Sequence, residues 1–176
     1  MEANELVYLG IGSNLGDRLA NITASISLLE SKQIKCLRCS SIYETEAWGF
    51  EAEATFYNCV IECQTAVAAV ELLSHIKTIE TELGRTLKTS TEYSSRTIDI
   101  DILLYKNDSL STDELTIPHQ HLSKRNFVLY PLAELIPSTC HPLEQLTFSE
   151  LLKNSPDKSE ITIVKPPISF RNLSIF

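Results

Sequence analysis

Residues 96–105, R-T-I-D-I-D-I-L-L-Y, constrain the fold more than any other stretch of the chain. A strand alternates its faces every residue, so Thr97, Asp99 and Asp101 share one face. Ile98, Ile100, Ile102 and Leu104 take the other. One face of this strand is therefore core and the opposite face carries acid. At a rise of ~3.3 Å per residue the two aspartates stand about 6.6 Å apart. Carboxylates so close and partly desolvated repel one another. A divalent cation between them removes that cost, and Mg²⁺ suits a few carboxylates together with phosphate oxygens. The simpler alternative is a pair of solvated acids on an exposed sheet face.

The rest of the pattern says what surrounds this strand. Residues 6–12 form a first strand, and "SNLGD" follows as a turn with Asp17 as helix N-cap. Leu19, Ile22, Ile26 and Leu29 then recur at helical spacing. Residues 35–43 predict a second strand, 44–55 a loop, and 56–65 a third strand. Residues 66–83 predict a helix that stops at Gly84. Residues 88–95 are polar and predict a mobile loop before the acidic strand. Residues 115–119 make a short edge segment that tolerates Pro118. Helices at 127–135 and 147–154 and a last strand at 161–165 complete the chain. This order implies an α+β fold with a ferredoxin-like β-α-β-β-α-β core, its sheet mainly antiparallel and flanked by helices. One domain over 1–155 fits, with 156–176 as an extension of unassigned role.

The 15 basic and 23 acidic residues leave a formal charge of −8. A duplex-binding protein shows a basic face, so nucleic acid is not the expected partner. No apolar run reaches membrane-spanning length. Glu2 and Glu5 stand where a signal peptide carries Lys or Arg, which points to the cytoplasm. Five cysteines, an odd count, fit reduced thiols. The pairs Cys36/Cys39 and Cys59/Cys63 have zinc-like spacing but lie in strand-like segments without knuckle residues. Buried thiols are the simpler reading.

Basic groups gather near the acids in sequence. Arg96 opens the same strand, and His119, His121, Lys124 and Arg125 follow downstream. Metal-clamped phosphates beside guanidinium groups are what phosphoryl transfer requires. Taken singly, each of these is explained as a surface charge or a turn residue. Glu80 occupies an apolar-stripe position with Leu73, Ile76 and Leu83. A carboxylate there needs a partner, either Lys77 or Arg85 nearby or a ligand. Gly10, Gly12 and Gly16 fall one residue off the dinucleotide-binding fingerprint, and a short turn into a helix explains them. No P-loop motif is present. Trp48 lies in a polar loop, where stacking on a flat heterocycle competes with a core role.

Together these stretches resemble the 6-hydroxymethyl-7,8-dihydropterin pyrophosphokinase family of folate biosynthesis. The resemblance covers residues 6–137 and rests on "YLGIGSNLGDR", "FYNCVIE", "IKTIETELGR", "SSRTIDIDILLY" and "TIPHQHLSKRNFVLYPLAELIP". The pairing of R-T-I-D-I-D-I with P-H-x-x-x-x-x-R-x-F carries most of its specificity. It implies transfer of pyrophosphate from ATP to the pterin hydroxymethyl group, releasing AMP. It also implies that Asp99 and Asp101 hold two Mg²⁺ ions. Arg96 and Arg125 would contact phosphate. Glu80, Ile102, Thr116 and His119 match ATP-binding positions. Thr45, Trp48 and Asn58 match the pterin pocket, with Phe56 and Phe127 stacking on the ring.

The chain departs from the family pattern in the loop after "LGR". Members often carry several arginines and a Trp there, whereas this loop offers Lys88 and Tyr93. Lys88 is the natural substitute in catalysis. Lys77 replaces a Gln of some relatives, and Glu114 replaces an Arg. The reading is a monomeric, Mg²⁺-dependent enzyme acting on two small molecules, ATP and a dihydropterin. Two alternatives stand beside it. One is another metal-dependent phosphoryl or nucleotidyl transferase, of which an ordinary kinase would release ADP; the other is a non-catalytic ferredoxin-like binding module, which would form no AMP.

Overall fold

The computed structural model describes residues 5–47, 54–85, 95–106, 108–168 and 170. Strand β1 (Glu5–Ser13) leads into helix α1 (Arg18–Ser31). Gly16, at φ +65°, makes the turn between them in a conformation that suits glycine. Asp17 accepts the Ala20 amide at 3.0 Å and caps the helix as predicted. Ile22, Ile26 and Leu29 are its fully buried stripe.

The expected second strand is two strands, β2 (Lys35–Cys39) and β3 (Ile42–Thr45), both antiparallel to β4 (Phe56–Thr65). The break at Ser40 and Ser41 has a tertiary cause. Ser40 still exchanges bonds with Val60, through its amide at 2.9 Å and its hydroxyl at 3.0 Å. The Ser41 amide and hydroxyl instead donate to the Glu134 carboxylate at 3.0–3.1 Å, outside the ladder. Helix α2 (Ala69–Glu82) begins later than predicted. Ala68 is extended at ψ 150°, and Thr65 Oγ1 accepts the Val67 amide at 3.1 Å, forming a turn before the helix.

The acidic strand β5 (Asp99–Tyr105) follows. Two short strands, β6 (Leu110–Ser111) and β7 (Thr116–Ile117), pair only with each other. A 3₁₀ turn (Leu122–Lys124) leads to α3 (Asn126–Leu135) and then α4 (Phe148–Lys153), which Thr147 and Glu150 cap reciprocally. The last strand is β8 (Ile161–Lys165).

The main sheet runs β5-β1-β4-β3-β8, every pairing antiparallel, with β2 extending the β3 edge along β4. Its first four positions are the β-α-β-β-α-β arrangement that the sequence implied. Helices α1 and α2 cover one face over Val7, Leu9, Ile11, Ile61 and Ile100. Cys36, Cys39, Cys59 and Cys63 are buried in that same core, Cys36 and Cys63 with sulfurs 3.7 Å apart. Helices α3 and α4 cover the other face, packing Leu129 and Phe148 into one core with Val60 and Leu104 of the sheet.

Leu104 lies on the opposite face from the one its alternation with Ile100 and Ile102 predicts. The β1–β5 register slips between Leu9, opposite Ile102, and Tyr8, opposite Leu104. Leu103 is the extra residue of this bulge. Leu104 therefore joins Leu103 in the α3 core, not Ile100 and Ile102 beneath α2.

Candidate active site

The sheet face toward α3 is not fully covered. Between it and the start of α3 lies a cleft with about 660 Å³ of empty space, its open mouth included. Strand register sets its floor. Gly12 of β1 stands between Asp99 of β5 and Asn58 of β4, and Gly10 stands between Asp101 and Val60. The two glycines leave the sheet bare between the acids and the amide. A Cβ on Gly12 would come within 2.8 Å of Asn58 Oδ1. Gly10 and Gly12 are thus floor residues inside a strand, not parts of a turn, and only Gly16 serves the turn assigned to all three. Their spacing of two, matching the strand period, was the sequence signal.

At one end of the cleft, Asn58 Nδ2 donates to Thr45 Oγ1 at 2.8 Å, and both side chains are buried. Phe56 and Phe127 line the walls with them. Glu46, beside Thr45, also lines this end, a position the sequence reading did not select.

At the other end lie Asp99, Asp101, Arg96 and Arg125. Asp99 is gripped from two sides, by Arg96 Nη1 at Oδ2 and Arg85 Nη1 at Oδ1, each at 2.8 Å. Arg85 also pairs with Glu80. The local partner proposed for Glu80 is therefore Arg85, which in addition reaches Asp99 across 14 residues of sequence. Lys77 pairs instead with Glu114 at 3.6 Å on the surface. Burial, followed by the charge of Asp99, pushes the Asp101 carboxyl from 3.8 up to about 7, while Arg125 and Arg96 pull the other way.

The segment carrying Arg96 is tied down by the end of β1. Asn14 Oδ1 accepts the Arg96 amide at 2.7 Å, and the Asn14 amide donates to the Arg96 carbonyl at 3.2 Å. Ser13 Oγ donates to the Thr97 carbonyl at 2.5 Å. The "GSN" motif thus ends in residues that fix where Arg96 sits.

The remaining candidates divide. Glu80 and His119 serve the outer edge of β5, Glu80 accepting the Ile100 amide at 2.8 Å and the His119 amide donating to the Leu103 carbonyl at 3.0 Å. Burial pushes the Glu80 carboxyl up, against the pull of Arg85. Burial and Arg125 push His119 down to about 4, so its ring is neutral at pH 7. Its Nδ1 accepts the His121 amide at 3.2 Å, which assigns the proton to Nε2. The Ile102 side chain is buried in the core under α2, and Thr116 is exposed on β7. None of Glu80, Lys77, Ile102, Thr116 and His119 lines the cleft. Trp48, Lys88 and Tyr93 lie outside the described residues.

Residues 8–137 match the family model described as 7,8-dihydro-6-hydroxymethylpterin-pyrophosphokinase. The chain belongs to this pyrophosphokinase family. It is 41% identical over 159 residues to the 2-amino-4-hydroxy-6-hydroxymethyldihydropteridine pyrophosphokinase of Aquifex aeolicus, covering 90% of this chain and 98% of that one. The enzyme of the same name from Bacillus subtilis is 39% identical over 75% of this chain and 78% of its own length. The folic acid synthesis protein FOL1 of Dictyostelium discoideum is 37% identical over 93% of this chain, which spans only 24% of it. A solved structure of Plasmodium falciparum HPPK-DHPS with pteroate superposes with a TM-score of 0.68 at 18% identity, over 87% of this chain and 43% of that one. At that identity the superposition bears on the fold alone. The pyrophosphokinase transfers pyrophosphate from its co-substrate ATP to a dihydropterin, a step of folate biosynthesis.

Proposed function

We propose that the cleft seats the dihydropterin at its Thr45–Asn58 end and the ATP phosphates at its Asp99–Asp101 end. The observation that carries this is the meeting, in one cleft, of a neutral polar pair, two phenyl rings and two acids among arginines. Asn58 spends one amide hydrogen on Thr45. Its Oδ1 remains an acceptor for a ring N–H, and the Thr45 hydroxyl hydrogen remains a donor to a ring nitrogen or carbonyl. Phe56 and Phe127 offer faces to a flat heterocycle, and Trp48 belongs to the same pocket by family resemblance.

The acids fit Mg²⁺. Burial and mutual repulsion hold Asp101 half-protonated near neutrality, and a cation shared with Asp99 lets both ionise. Two ions are the number the family resemblance implies. Held by Asp99 and Asp101, Mg²⁺ supplies neutralisation of phosphate charge and acidification of the acceptor hydroxyl. Arg96 and Arg85 fix the Asp99 carboxylate from both sides, so its direction is set before substrates arrive. Arg125 brings a further cation to the phosphates from the other wall. His119, neutral with its proton on Nε2, donates a hydrogen bond without adding charge. With Glu80, Lys77, Ile102 and Thr116 it flanks β5, where the nucleoside part of ATP extends. Lys88 and Tyr93 keep the part that resemblance implies for their loop, contact with ATP.

The acceptor oxygen attacks the β-phosphorus in line, the bond to the α-phosphate oxygen breaks, and AMP departs as the hydroxyl proton is lost to solvent. Positioning and charge neutralisation carry this step, with no strong protein base required. The enzyme works as a cytoplasmic monomer on small molecules, without nucleic acid; the charge of −8 supports the last point. No described helix is long and apolar enough to cross a membrane. The test is AMP release with ATP, Mg²⁺ and the reduced pterin, each omitted in turn. AMP that appears only with all three supports the proposal. ADP in its place identifies an ordinary kinase, and no consumption of ATP a binding module.

A further inference from the structure

The chain beyond residue 155 touches both walls of the cleft. The Asp157 carboxylate accepts the Asn126 amide at 2.8 Å, and the Asp157 carbonyl accepts Asn126 Nδ2 at 2.9 Å. Asn126 is the first residue of α3, and the preceding Arg125 gives that helix no side-chain cap. Asp157 therefore caps α3 from 31 residues downstream. Its negative charge also faces the positive end of the helix. Asn126 lies between Arg125 and Phe127, both of which line the cleft. Asp157 is itself held: Oδ1 accepts the Ser159 amide at 2.9 Å and hydroxyl at 2.6 Å, and its own amide donates to Ser155 Oγ at 3.3 Å. Two residues past Ser159, Ile161 opens β8 directly opposite Thr45 on β3.

One stretch of chain thus fastens Arg125 and Phe127 on one wall and Thr45 on the other. We propose that residues 155–165 form a clamp that sets the gap between the two walls, with Asp157 as its positioning residue. The proposal rests on reading the cleft as the pterin site. An uncapped first turn leaves amides without partners and frays, and in α3 that turn carries the ring that meets the substrate. A capping residue of the ordinary kind stabilises its helix and nothing else. A clamp residue also changes ligand affinity in protein that is fully folded.

The experiment compares Asp157→Ala, Asp157→Asn and Glu150→Ala, the last removing the side-chain acceptor of the Thr147 amide from the capping box of α4, which lines neither wall. Binding of oxidised 6-hydroxymethylpterin is followed by fluorescence well below Tm, and amide exchange is followed at Phe127, Val128 and Leu129. Asp157→Ala is expected to raise the pterin Kd roughly fivefold and to speed exchange at those three amides. Asp157→Asn keeps an oxygen acceptor and should recover most of the affinity. Glu150→Ala should lower Tm comparably yet leave Kd within about twofold of wild type. The clamp is overturned if Asp157→Ala binds pterin as wild type does, or if Glu150→Ala weakens binding equally. Absence of pterin binding by the wild-type protein would remove the reading of the cleft instead. The exchange rates then decide by themselves whether Asp157 holds the first turn.

Discussion

The two ends of the cleft are built on opposite principles. At one end the neutral pair Thr45 and Asn58 is buried and already hydrogen-bonded before any ligand enters. The Asp99–Asp101 end holds like charges together, relieved in part by Arg85 and Arg96 and in part by a proton on Asp101. The first is complete and selects by shape and hydrogen bonding. The second carries an electrostatic cost that metal and phosphate discharge. Substrate recognition can rest on strand register, whereas reactivity rests on charges that the apo protein balances only partly.

The largest test of this contrast removes an acid. Asp99→Ala or Asp101→Ala should lower the rate of AMP formation about 10³-fold, while pterin binding stays near wild type. Circular dichroism should show an intact fold, and for Asp101→Ala an unchanged or raised Tm, because like-charge repulsion is removed.

The pH dependence should differ between the ends as well. Asp101 must lose its proton to hold a metal, so Mg²⁺-ATP affinity should fall as pH drops below about 7, by up to about tenfold per unit. Asp101→Asn should flatten that profile, measured by calorimetric titration from pH 5.5 to 8. The sign for stability is the reverse. The folded-state pKa is raised, so the folded protein binds more protons than the unfolded chain between pH 4 and 7. This group's contribution to stability therefore declines as pH rises through that window.

Smaller effects are expected at the pterin end. Gly12→Ala places a methyl 2.8 Å from Asn58 Oδ1, so Asn58 must move. Pterin Kd should rise about tenfold with Mg²⁺-ATP affinity nearly unchanged. Equal losses for both ligands would show that the two ends are not separable. Thr45→Val removes the acceptor of Asn58 Nδ2 and should cost only about three- to fivefold in pterin affinity.

Much of this arrangement was legible in the sequence because it follows from local periodicity. The alternation of residues 99–102 put both aspartates on one face, and the element order gave the sheet. Thr45, Phe56, Asn58, Arg96, Arg125 and Phe127 all meet the acids in the cleft, and family resemblance rather than periodicity pointed to the pterin side chains among them. What escaped depends on contacts distant in sequence. The break at Ser41 requires Glu134 of α3, 93 residues away. The bulge at Leu103 is invisible in a run apolar on both faces. Arg85 satisfies Glu80 so naturally that its second partner, Asp99, has no local signature. The role of Gly12 appears only once Asn58 is beside it on the neighbouring strand.

The most direct test is a crystal structure with Mn²⁺ in place of Mg²⁺, an ATP analogue that cannot be cleaved between the α- and β-phosphates, and the pterin. Anomalous scattering should place manganese about 2.1–2.2 Å from carboxylate oxygens of both Asp99 and Asp101, with the ring at the Thr45–Asn58 end. Metal bound away from either aspartate, or a pterin lodged outside the cleft, would contradict the assignment.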